Sequence, residues 1–144
     1  MTRQGMVEDM IFIQYLIKRL YKEFEAQGLD KKMNTTQLWV LAIMSQHDRM
    51  TMSEICKFVV LEKGSFKATI DLLMGYGYIR SQKAEDDKRK VYLSLTPEGE
   101  QVAKRINHSL EDYLHRRFHI LDDFTRQNIW NAIHVLAEYA KESI

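Results

Sequence analysis

The apolar residues Met6, Met10, Ile13, Ile17, Leu20 and Phe24 recur at alternating intervals of three and four, and Ile11, Tyr15 and Leu16 widen the stripe. That spacing keeps one face of an α-helix apolar, so it predicts a long amphipathic helix ending near Gly28. The stretch NTTQ announces a second helix. Asn34 or Thr35 can cap its free amides, Gln37 can reach back, and Leu38, Leu41, Ala42 and Ser45 share one side as far as about Gln46. In TMSEICKFV, Thr51 and Glu54 have capping-box spacing and Ile55, Phe58 and Val59 supply an apolar stripe, which predicts a short third helix. A fourth runs over 65–74 with Phe66, Ile70 and Leu73 inward, closed by Gly75 and Gly77.

From Tyr78 the period falls to two. Ile79 on one arm and Val91, Leu93 and Leu95 on the other alternate with polar neighbours, which predicts a two-stranded ribbon with the charged tip EDDKRK. Thr96 is then a good N-cap, and Pro97, the only proline, suits a first helical position whose amide needs no partner. The helix after it carries Val102, Ile106, Leu110, Tyr113 and Leu114. A last helix from about Thr125 carries Ile129, Ile133, Leu136 and Ala140. The fold class is mainly α with a small β-wing.

Composition adds exclusions. A chain of 144 residues with 45% hydrophobic and 28% charged content suffices for one compact domain with a core. No apolar run approaches the roughly 18 residues that span a bilayer, and the N-terminal stretch lacks a secretory pattern, so a cytoplasmic protein without membrane contact is expected. The single Cys56 excludes an internal disulfide and a zinc site built on paired cysteines. A net charge of +1 gives no global electrostatic case for nucleic acid, so any such case is local.

The local case lies in the middle of the chain. Two short helices, a tight turn and a ribbon form a winged helix-turn-helix, whose second helix fits a major groove about 12 Å wide. With Phe66, Ile70 and Leu73 inward, Lys63 and Lys67 stand one turn apart on the outer side, beside Ser65 and Thr69 and around the small Gly64 and Ala68. At the tip, Lys88, Arg89 and Lys90 offer positive charge to phosphates or a narrow minor groove, and Asp87 is placed to orient the Arg89 guanidinium. A charge run at a hairpin tip is also compatible with simple solvation.

DKRKVYLSLTPEG resembles the wing signature of MarR-type transcriptional regulators, an Asp-x-Arg followed by Leu-Thr-x-x-Gly, here Asp87, Arg89, Leu95, Thr96 and Gly99. TTQLWVLAIM, TMSEIC and GYGYIR resemble the helix before the motif, its first helix and the exit from its recognition helix. The resemblance covers nearly the whole chain. It implies one MarR-like domain over 1–144, with a DNA-binding region at 34–97 and dimerisation helices at 1–28 and 97–144. It further implies a homodimer reading double-stranded DNA at an inverted-repeat operator, acting as a repressor relieved by a small-molecule effector of unknown identity. Arg89 would enter the minor groove, held by Asp87, and the helix near Lys63 would read the major groove. Glu62, where many members carry Ser or Thr, and Ala68, where many carry a basic residue, depart from the pattern.

The stripes at 6–24 and 129–140 exceed what one small winged domain must cover, which independently favours a two-fold dimer. Other readings compete. Glu111, His115 and His119 stand four apart, with His108 about a turn earlier, as a metal-sensing face would require, although solvated histidines have the same pattern. Cys56 is expected to be a buried, inert thiol, and Tyr15, Tyr21, Phe24 and Trp39 are core or the lining of an effector cavity. No nucleophile–base pair, carboxylate pair or phosphate-binding glycine loop has supporting spacing, so neither an enzyme nor a cofactor is expected. A winged-helix module that binds protein in place of DNA is the remaining alternative, favoured by the low net charge and Glu62 and opposed by Lys63, Lys67 and Arg89.

Overall fold

The computed structural model describes residues 3–59 and 63–143, with side chains over 5–59 and 66–143. The helices are α1 (Arg3–Glu23), α2 (Thr35–Met44), α3 (Met52–Phe58), α4 (Lys63–Gly75), α5 (Pro97–Phe118) and α6 (Asp123–Ser143). The strands are β1 (Met50–Thr51), β2 (Ile79–Lys83) and β3 (Val91–Leu95). Contacts group the chain into two compact units, Met1–Leu110 and Glu111–Ile144.

In the first unit the helix starts follow from local chemistry. Asn34 Oδ1 accepts the Gln37 N–H at 2.9 Å and Gln37 Oε1 accepts the Asn34 N–H at 2.9 Å, a reciprocal capping box. Thr51 and Glu54 repeat the device at α3 with bonds of 3.2 and 3.1 Å. Each cap contributes about 1 kcal/mol by satisfying amides that the helix itself leaves open. Between them, Val40, Leu41 and Met44 of α2, Ile55 of α3, Leu73 of α4 and Ile106 of α5 are the largest fully buried side chains of the core among the described residues.

The alternation in β2 and β3 gives the expected antiparallel pair, registered from Ile79 opposite Leu95 to Lys83 opposite Val91. The sheet has three strands, however, in the order β1-β3-β2, because Met50 and Thr51 pair with Leu93 and Tyr92. Two residues are too few to show a period, so the third strand exists only through its neighbour. Phe58 also departs from expectation: Ile55 is fully buried, whereas Phe58 is 45% exposed. Cys56 is exposed, not buried, because it follows Ile55 onto the outer side of a helix of only seven residues.

The exit from α4 is a Schellman closure. The Tyr78 N–H donates to Leu73 O at 3.0 Å and the Gly77 N–H to Met74 O at 2.9 Å, with Gly77 at φ +77°. The start of α5 is bound to that turn. Thr96 Oγ1 accepts the Gly99 N–H at 3.0 Å and donates to Gly77 O, while the Thr96 N–H donates to Tyr78 O at 3.0 Å. A Cβ on residue 99 would stand 2.0 Å from the Tyr78 carbonyl oxygen, so only glycine lets the helix come this close.

The far end of α1 is held by an edge-on contact of Tyr21 with Trp39, centroids 4.4 Å apart, and by buried Phe24. Burial raises the Tyr21 hydroxyl pKa above its ordinary value. The segment after it is tied down by Gln27 N–H to Ser109 Oγ at 3.2 Å and Arg105 Nη1 to Gly28 O at 3.3 Å. Tyr15 is exposed. Most of the predicted stripe on α1 is uncovered: Met6 is 56% and Met10 61% exposed.

In the second unit, α6 starts two residues before the expected Thr125. Asp122 caps it, accepting the Thr125 hydroxyl at 2.7 Å and the Thr125 N–H at 2.9 Å, bonds that lower the Asp122 pKa. Arg126 closes the end of α5 by donating to Phe118 O and Leu121 O, and Phe118 meets Trp130 edge-on at 5.3 Å. Ile133, Leu136 and Ala140 of the predicted stripe are exposed and Ile129 is half-buried.

The close approach at residue 99 gives a sharp expectation. Gly99→Ala should cost about 2–3 kcal/mol in urea unfolding, although alanine is the better helix former by about 1 kcal/mol. An unchanged or raised midpoint would show that the α5–Tyr78 contact relaxes freely.

Candidate nucleic-acid interface

The outward side of α4 is set by what its inward side buries. Phe66, Thr69, Ile70 and Leu73, spaced three, four and seven apart, form a single inward face. Thr69 is therefore not an outer residue as expected from its place near Lys67. It is only 6% exposed and belongs to the core side. Ala68 and Lys67 are exposed. Lys67 Nζ lies 3.2 Å from Asp71 Oδ2, one helical turn on, with both side chains largely in solvent. Such exposed pairs contribute at most about 1 kcal/mol, so the ammonium is oriented without being sequestered. Lys63, Gly64 and Ser65 begin α4, but their side chains lie outside the described residues, as does all of Glu62.

The wing tip is a built turn. The Lys90 N–H donates to Asp87 O at 3.0 Å, closing residues 87–90 into a β-turn, and the Ala84 N–H donates to Lys90 O at 3.0 Å beneath it. Asp87 Oδ1 accepts the Arg89 backbone N–H at 3.0 Å. The aspartate thus positions Arg89 through the main chain and not, as expected, by a bond to the guanidinium. Buried Ala84 seats the tip on the domain, while Lys88, Arg89 and Lys90 project exposed. Further down, Arg80 Nε donates to Ser94 Oγ at 3.2 Å across the strands.

The result is a small protein of near-neutral charge in which Lys88, Arg89 and Lys90 stand exposed on a closed turn and Lys67 stands exposed on α4. Two participants were not anticipated. Asp71 was legible as an i+4 partner of Lys67. Arg49, whose guanidinium carbon lies 4.2 Å from the centre of the Tyr92 ring, was not, since the contact depends on β1 joining the sheet.

The metal-sensing face fares differently. Helix α5 ends at Phe118, so His119 leaves the helical spacing that aligned it with Glu111 and His115. Among the described residues no group of three or more His, Cys, Asp or Glu side chains is gathered to hold a metal ion.

Comparison with known proteins agrees with this geometry. Residues 33–99 match the family described as "Winged helix DNA-binding domain". The HTH-type transcriptional regulator YpoP of Bacillus subtilis is 23% identical over 125 residues, 85% of this chain and 86% of its own. The chain spans only 46% to 60% of the length of the Hpr regulators of several Bacillus species that it also matches. Among solved structures, the transcriptional regulator BldR of Sulfolobus solfataricus superposes with a TM-score of 0.75 at 18% identity, covering 96% of this chain and 99% of that one. A MarR transcriptional regulator from Methanosarcina mazei superposes at 0.70 with 19% identity over 92% and 99%. At such identities the superpositions speak to fold alone. The structure has the winged helix-turn-helix fold, and residues 33–99 are similar to a winged helix DNA-binding domain of the kind that HTH-type transcriptional regulators carry. Within that class it strongly resembles the MarR-family regulators. No helix among the described residues is long and apolar enough to cross a membrane.

The Asp87 contact separates shape from charge. Asp87→Asn should keep the turn, because the amide oxygen still accepts the Arg89 N–H. Asp87→Ala should speed hydrogen exchange at Arg89 and Lys90 by about tenfold, the equivalent of one modest hydrogen bond. Equal exchange in both variants would show that the tip holds its shape without the side chain.

Proposed function

We propose that the protein is a homodimeric repressor that reads an inverted-repeat operator in double-stranded DNA and is released by a small-molecule effector. The observation that carries the DNA reading is the wing tip, three exposed cations on a turn closed by Asp87. Lys63, Gly64, Ser65 and Lys67 of α4 enter the major groove in this reading. Asp87, Lys88, Arg89 and Lys90 serve the wing, with Arg89 in the minor groove. Thr69 contributes by packing.

Residues 1–144 act as one MarR-like domain in this proposal, 34–97 forming the DNA-binding region and 1–28 and 97–144 the dimerisation helices. Support for the dimer comes from α1, where Met6, Met10, Phe12 and Tyr15 remain more than half exposed. A two-fold axis sets two α4 helices about 34 Å apart or a multiple of that, which is what gives an inverted repeat its spacing. A net charge of +1 favours the second reading, a winged module that binds protein. Salt dependence separates them, since phosphate contacts release counterions.

Selection of the purified protein on a random duplex library should enrich an inverted repeat with half-sites about one helical turn apart. Arg89→Ala should weaken binding to the enriched duplex at least tenfold while its unfolding free energy stays within about 0.5 kcal/mol of the parent, as for an exposed residue. Absence of enrichment, or full affinity in the variant, would overturn the assignment of the wing. Sedimentation should give twice the 17.1 kDa chain mass, and Ile13→Glu should shift it toward the single chain. A parent that sediments as one chain would remove the dimer.

A further inference from the structure

The outer face of the three-stranded sheet carries a cation that neither the helix-turn-helix nor the wing tip uses. Arg49 precedes β1, and its guanidinium stacks over Tyr92, the residue of β3 that Thr51 pairs with on one side and Gln82 on the other. Gln82 is next to Lys83, where the strands give way to the tip, so Arg49 sits one residue pair from the base of the wing. It is exposed, and among the described residues no ion pair engages it.

We propose that Arg49 is a further DNA-contacting residue, a phosphate clamp at the root of the wing that Tyr92 holds in place. Resting on a ring fixes the guanidinium plane while leaving its N–H edge open, and a planar fork with a free edge suits a phosphate oxygen pair. A lysine on the same backbone would have no such plane to stack. The neighbouring cleft of about 330 Å³ is lined by Arg49, Gln82, Lys83, Glu85, Asp86 and Tyr92. Glu85 and Asp86 on the tip side oppose a phosphate there, so contact is confined to the Arg49–Lys83 side. This makes the wing a surface from β1 to tip, with phosphate grip at its root and groove contact at its end.

The inference rests on the DNA reading, and its test distinguishes the two. Binding of a fluorescein-labelled duplex of mixed sequence is followed by anisotropy across a salt series for the parent, Arg49→Ala and Arg49→Lys. Each phosphate contact is worth about 0.9 in the slope of log affinity against log salt, roughly eightfold in affinity near 0.1 M salt, for every protomer that the duplex engages. Arg49→Ala should lose that much, and Arg49→Lys should keep most of the slope. A steep parent slope left unchanged in Arg49→Ala overturns the Arg49 clamp alone. A flat parent slope overturns the DNA reading and the clamp with it. Should Arg49→Ala unfold, the parent protein itself decides: the duplex should slow phenylglyoxal modification of Arg49, read by mass spectrometry, and equal modification with and without duplex overturns the clamp.

Discussion

The DNA-binding lobe depends on one crowded junction, where the start of α5 meets the turn that ends α4. Thr96 bonds forward to the Gly99 amide and back to Gly77 and Tyr78, and Gly99 has no room for a side chain against the Tyr78 carbonyl. Because Tyr78 leads directly into β2 and Thr96 directly out of β3, the same bonds fix the exit of α4 and both feet of the wing. The junction is polar and short-ranged, so small displacements lose several hydrogen bonds together. It explains why a Leu-Thr-x-x-Gly stretch stands beside a wing: Leu95 packs opposite Ile79, Thr96 bonds, and Gly99 makes space.

The electrostatic design is local. With a net charge of +1 the chain has no strong overall attraction to a polyanion, so the proposed binding of DNA rests on cations placed locally. The structure holds them by three different means. Lys67 is steered by Asp71, Arg89 is presented by a turn that Asp87 closes through the backbone, and Arg49 rests on an aromatic ring. None of the three is neutralised by deep burial of an ion pair, which would forfeit its availability to a phosphate.

The apolar residues of α1 pose the opposite case. Their stripe is regular enough for a core helix, yet much of it faces solvent in the single chain, while the end near Tyr21 and Phe24 is packed. Uncovered apolar area of this kind is costly in water, and association is the usual way it is relieved. The exposed stripe is the observation on which the proposed dimer rests.

The sequence by itself determined the elements. Helix caps, the single proline, the glycines after α4 and the change of period at Tyr78 act over a few residues, so they are readable without the fold. The outward placement of Lys67 and the charged tip followed from the same local periods. Tertiary structure alone decided what depended on neighbours distant in the chain. Met50 and Thr51 became a strand because Leu93 and Tyr92 offered an edge, and Arg49 found its ring only through that pairing. Thr69 turned inward with Phe66 and Ile70, Cys56 and Phe58 were left outside by a helix of seven residues, and His119 fell beyond the end of α5. A period specifies which residues share a face, but only packing assigns each face to core, solvent or partner.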